Sequence, residues 1–137
     1  MNKTSEPTPT LLPPTSTPPP PTPPPPPVEP TLPQLQHFVA YKKALHCVAL
    51  VHALGLRGEL RDQMERAAYS VVLNLAEGSG QRDGAAKRRF YVIARSSLLE
   101  VAAAVDLVAL MRPESVELAA LRSAVREESA ILRALVS

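Results

Sequence analysis

The sequence predicts an all-α fold: an antiparallel up-down-up-down four-helix bundle behind a proline-rich N-terminal tail. Three observations predict it. Fifteen of the sixteen prolines lie in the first 33 residues, and the five glycines fall into two clusters, Gly55 with Gly58 and Gly78 with Gly80 and Gly84. Between these breakers the apolar residues recur at spacings of three and four, the signature of one helical face. With Pro113, the breakers delimit segments at about 34–54, 59–77, 85–112 and 114–136, too long for ordinary strands and suited to helices. Short links between consecutive helices make them antiparallel neighbours, which gives the bundle.

Residues 1–33 hold five hydrophobic residues (Met1, Leu11, Leu12, Val28 and Leu32), too few to offset the entropy of ordering a chain. A disordered or extended tail, separate from one compact domain over 34–137, is the expectation. Residues 18–27 read PPPPTPPPPP. Proline fixes φ and removes backbone donors, so this run predicts a polyproline II rod of roughly 30 Å. Such a rod serves either as a spacer or as a ligand for an aromatic-lined groove on a protein partner. No flanking basic residue marks a docking orientation, which favours the spacer.

In the first segment Phe38, Tyr41, Leu45, Val48 and His52 form a stripe, with Val39, Leu50 and Leu54 outside it. The second carries Leu60, Met64, Ala67, Ala68, Val71 and Leu75 on one face, and the fourth carries Leu118, Leu121, Val125, Leu132 and Leu135 in near-heptad order. The third has a main stripe of Phe90, Ala94, Val101, Val105 and Val108, and a second one of Val92, Leu99, Ala103 and Leu110 on a different face. One bundle core cannot cover both stripes, so self-association into a homo-oligomer is expected. Gly78 reads as the residue just past the end of the second helix, and Asp83 as the N-cap of the third.

Composition narrows the chemistry. Cys47 is the single cysteine, and His37, His46 and His52 are spaced nine and six apart, so no pair shares a helical face as metal ligands would. The Glu-x-x-His signature of di-iron bundles is absent, as are P-loop, G-x-S-x-G and H-E-x-x-H motifs. No catalytic residue, metal or cofactor is therefore expected, and the chain reads as a non-enzyme. Asn74, Glu77 and Glu100 read as register-fixing partners of arginines such as Arg66 or Arg95 rather than as catalytic carboxylates. No run reaches the roughly 18 apolar residues of a membrane span, and no signal-peptide core follows Lys3, so a cytoplasmic location is expected.

Charge is unevenly distributed. Residues 34–95 hold ten Lys/Arg against five acids, whereas from Ser96 onward four face six. The densest basic group is Arg82, Lys87, Arg88, Arg89 and Arg95. Lys87, Arg88 and Arg95 fall on one side of the third helix, and Arg82 lies in the turn leading into it, where free backbone N–H groups favour a phosphate. This group is the candidate nucleic-acid-binding site for an RNA or DNA backbone; the competing reading is a solvated face. Beside it, Phe90 is expected in the core and Tyr91 in packing rather than stacked on bases.

The stretch QMERAAYSVVLNLAEGSGQR (63–82), followed by KRRFYVIARSSLLE (87–100), resembles the small bacterial four-helix-bundle family encoded in intervening sequences of 23S ribosomal RNA genes. That family's second helix reads like Q-I-R-R-A-A-x-S-I-P-x-N-I-A-E-G, and its third like F-x-R-F-L-x-I-A-R-G-S-L-x-E. YKKALHCVAL (41–50) is similar to its first helix, so the resemblance runs from about Phe38 to Val108. It implies a four-helix bundle, a ring-like homo-oligomer such as the pentamer formed by related accessory proteins of diversity-generating retroelements, and nucleic-acid binding. Val72 stands at the family's proline position, Glu65 replaces one of its paired arginines, and the proline-rich tail has no counterpart.

Overall fold

The computed structural model describes residues 17–20 and 23–137; the expectation of disorder for the rest of the tail lies outside the described residues. Five helices follow one another: α1 (Pro33–Gln36), α2 (Val39–Ala53), α3 (Gly58–Ser79), α4 (Gly84–Met111) and α5 (Val116–Val136), with no strand among the described residues. The four long helices match the four expected segments. The single turn α1 is new, because no glycine or proline marks the break that His37 and Phe38 make after it. Tertiary contacts make that break: the Gln34 side chain donates to the Ser79 carbonyl at 2.9 Å, Gln36 donates to the Pro30 carbonyl at 3.0 Å, and the Phe38 ring lies 5.9 Å from that of Tyr91.

The links obey local chemistry. Between α2 and α3 the chain turns through Gly55 (φ 61°) and Gly58 (φ 77°), the left-handed region that residues with a Cβ enter at a cost. The Asp83 carboxylate accepts from the Ala86 N–H at 3.1 Å and starts α4, as expected. Arg112, extended before Pro113, ends α4, and Ser115 caps α5 through a 3.1 Å bond from the Leu118 N–H. α2 packs on α3 and α5, and α4 on the same two, so the four helices close a ring around one core. That is the up-down-up-down bundle.

The core departs from the expected stripes in instructive ways. In α2 the buried face is Ala40, Ala44, Cys47, Leu50 and Val51, while Phe38, Tyr41, Leu45 and Val48 are half-buried and His52 is exposed. The buried face is small at its N-terminal end (Ala40, Ala44, Cys47) and larger at its C-terminal end (Leu50, Val51), while Phe38, Tyr41, Leu45 and Val48 lie at its edges. In α4 Ala94, Val101, Val105 and Val108 are buried as expected, but it is Tyr91, 7% exposed, and not Phe90 that enters the core. Gly78 is also not a helix-ending residue, since α3 continues to Ser79 and Gly80 terminates it with αR backbone. A Cβ on Gly78 would stand 2.6 Å from Tyr91 Cε1, so this glycine exists for close approach of the tyrosine ring.

Candidate nucleic-acid interface

The bundle's connectivity puts the end of α3, the start of α4 and the end of α5 at one pole. Arg82 lies in the α3–α4 link, Lys87, Arg88 and Arg89 in the first turns of α4, and Arg95 two turns further on, about 10 Å along the axis from Arg88. Arg82, Arg88, Arg89 and Arg95 are exposed and Lys87 is half-buried. Arg82, Lys87, Arg89 and Arg95 form no ion pair among the described residues.

One position at this pole carries a structural duty that the sequence did not show, and a second performs the capping expected of it. The Arg88 Nε donates at 3.0 Å to the Val136 carbonyl, satisfying an orphan acceptor at the end of α5 and tying it to α4. Asp83, in the link beside Arg82, has its carboxylate at the start of α4, bonded to the Ala86 N–H. The anion position at this helix start is thus filled by the chain itself. The phosphate contact that the sequence suggested for the backbone N–H groups here passes to the side chains alone.

The other expected polar pairings do not form. Asn74 turns back on its own helix, donating to the Ser70 carbonyl at 2.8 Å, and Glu77 and Glu100 form no ion pair among the described residues. Arg66 bonds to Gln63 one turn away. The α3–α4 seam is instead held by Ser70 and Ser97 at 2.8 Å, a pair of small hydroxyls that suits close helix packing. His52 donates to or accepts from the Tyr69 hydroxyl at 2.8 Å and lies 3.9 Å from Glu65, joining α2 to α3 at the surface.

The remaining chemistry-bearing side chains stand apart from the basic pole. Cys47 is buried, and desolvation followed by the Glu128 and Glu127 charges pushes its thiol up to about 12, far from a nucleophile's range. Among the described residues no three His, Cys, Asp or Glu side chains converge as a metal site. A cleft of about 480 Å³ lies at the opposite pole, lined by Leu54, Val108, Arg112, Pro113, Ser115 and Leu118. No helix among the described residues is long and apolar enough to cross a membrane.

The exposed side of α4 continues beyond the cations as an apolar strip. Val92, Ile93, Leu99, Leu107, Leu110 and Met111 are all exposed, Leu99 at 61% and Leu110 at 84%. The second stripe read from the sequence is therefore open on the single chain. The class these features define is an all-helical four-helix bundle with one cationic pole and one uncovered apolar helix face.

Within that class, residues 36–134 match the family model described as 23S rRNA-intervening sequence protein, and the chain belongs to that family. A search of curated proteins finds no match. Among solved structures, the chain is similar to a protein of unknown function from the S23 ribosomal protein family of Bacteroides thetaiotaomicron VPI-5482. The two share 15% identity over 72% of this chain and 99% of the other, with a TM-score of 0.66, which establishes the shared fold.

Proposed function

We propose that the protein is a non-catalytic homo-oligomer that holds the phosphate backbone of RNA or DNA on the cationic pole of α4. The observation that carries this reading is the set of Arg82, Lys87 and Arg89 at one pole, with Arg95 further along the same helix, none of them with a carboxylate partner among the described residues. Uncompensated guanidinium groups suit phosphate, which they bind through paired N–H donors. Cations spread over an open helix surface suit recognition of the backbone and not of base sequence. The exposed apolar strip on the same helix supports self-association, and each copy would add its own cations, multiplying individually weak contacts.

Titrating labelled RNA and DNA oligonucleotides with the full chain by fluorescence anisotropy tests the reading. Affinity falls steeply with salt for the wild type, and Lys87→Glu/Arg89→Glu/Arg95→Glu lowers both affinity and salt slope, the slope by about one for each phosphate that is no longer neutralised. Arg88 is left intact because it anchors the end of α5. Absence of wild-type binding at low salt overturns the reading. A scaffold role for the tail is favoured by Pro26, Pro27 and Val28, which are exposed over Lys42, Leu45 and Ala49 of α2. Replacing residues 18–27 with a Gly/Ser run separates the two, because phosphate binding survives that change and recruitment of a protein partner does not.

A further inference from the structure

Glu128 interrupts the core face of α5. Leu118, Leu121, Val125 and Leu132 are buried along one helical stripe, and residue 128 falls within it. Its side chain is 0% exposed, and neither carboxyl oxygen has a hydrogen-bond partner among the described residues. A carboxylate in that position has lost water and gained nothing in exchange.

The charged and titratable groups that act on it come from the α2–α5 seam. On α2 this is Lys43, and on α5 itself Glu127; the buried Cys47 of α2 in turn feels the Glu128 charge. Lys43 Nζ is already held by Glu127 Oε1 at 2.6 Å on the surface of the seam. On α4, the other helix packed against α5, Tyr91 is buried and Arg95 exposed, and neither bonds to Glu128. The cation that acts on Glu128 is thus engaged by the neighbouring acid.

We propose that Glu128 makes the α2–α5 seam a proton-operated latch, closed while the carboxyl keeps its proton and loosened by ionisation, with Cys47 uncovered as α5 shifts outward. The sign follows from linkage. Burial first, and then the Glu127 charge, push the enclosed carboxyl up to about 8, whereas an opened seam returns it to the ordinary carboxylate range. Opening therefore becomes easier as pH rises between those two values and levels off above the higher one. This inference is independent of phosphate binding, since it concerns a different helix pair.

Labelling of Cys47 by a disulfide reagent that reacts at acid pH, such as dithiodipyridine, reads the latch in the full chain. Dividing the wild-type rate by that of Glu128→Gln at each pH removes the intrinsic pH dependence of the thiol. The ratio rises by up to about tenfold per pH unit from about pH 5 to pH 8 and is flat above. Glu128→Leu, which fills the same core position with an apolar side chain, serves as a second reference and gives the same profile. A ratio that stays constant over pH 5–9 overturns the latch. So does a wild-type labelling rate that tracks global unfolding in urea at every pH, because Glu128 would then act on overall stability alone. Lys43 swinging inward to the ionised carboxylate would also keep the ratio flat, and counts against the proposal.

Discussion

Gly78 and Glu128 are the two residues whose environments decide most. At Gly78 an alanine gains up to about 1 kcal/mol of helix propensity but drives its Cβ to 2.6 Å from the buried Tyr91 ring. Overpacking of this kind costs about 1–3 kcal/mol, so Gly78→Ala is expected to lower stability by about 1–2 kcal/mol in urea unfolding, and the loss shrinks when Tyr91 is first changed to Leu. Gly80→Ala is the contrast. Its Cβ would meet nothing closer than the Glu77 carbonyl at 3.5 Å, and the substitution is expected to be neutral within about 0.5 kcal/mol. The sequence singled out Gly78 but gave the wrong reason, since a helix-ending glycine and a close-approach glycine look alike until the facing helix is in place.

Glu128 was passed over in the sequence, although the near-heptad spacing of Leu118, Leu121, Val125 and Leu132 places residue 128 on the same face. As one of two adjacent acids on a helix it reads by residue type as surface, whereas its register puts it in the core, where it is fully buried. Because its folded value is raised to about 8, the group's contribution to stability is greatest at acid pH, declines as pH rises from the ordinary carboxylate range, and is flat above about 8. At pH 8 Glu128→Leu is accordingly expected to be more stable than the wild type in urea unfolding, by about 3 kcal/mol, and to lose most of that advantage at pH 4.5. Equal stabilities at the two pH values would show that the carboxyl finds water or a partner.

At the scale of elements, the start of α4 was read from the sequence, whereas the Ser115 cap, the break before α2 and the end of α3 were not. Asp83 and Ser115 cap α4 and α5 through side-chain acceptors, and Asp83→Ala and Ser115→Ala are each expected to cost about 1 kcal/mol in thermal or urea unfolding. Capping is local chemistry, readable from a few residues. The face of α2 was misassigned because its N-terminal half turns Ala40, Ala44 and Cys47 to the core while Phe38, Tyr41 and Leu45 line its edges; Leu50 and Val51 complete the buried side. The Lys43–Glu127 bridge between α2 and α5, though short, is half-exposed, and a double-mutant cycle is expected to return under about 1 kcal/mol.

For the whole molecule, the open face of α4 is the feature that a single bundle does not account for. If it is covered by further copies, Leu99→Glu/Leu110→Glu reduces the mass measured by light scattering to one chain without loss of helicity, and a wild-type mass already equal to one chain removes the basis for self-association. The sequence by itself determined the four long helices and the antiparallel order, because breakers and periodicity act over a few residues and short links leave little choice of topology. It also placed the cations on α4 and a second apolar stripe beside them. Only the tertiary structure decided that Tyr91 and not Phe90 enters the core, that Arg88 holds the end of α5, and that an acid lies sealed between α2 and α5. Each of these depends on how near one helix stands to the next, a distance set by all the side chains between them at once and written in no single stretch of the chain.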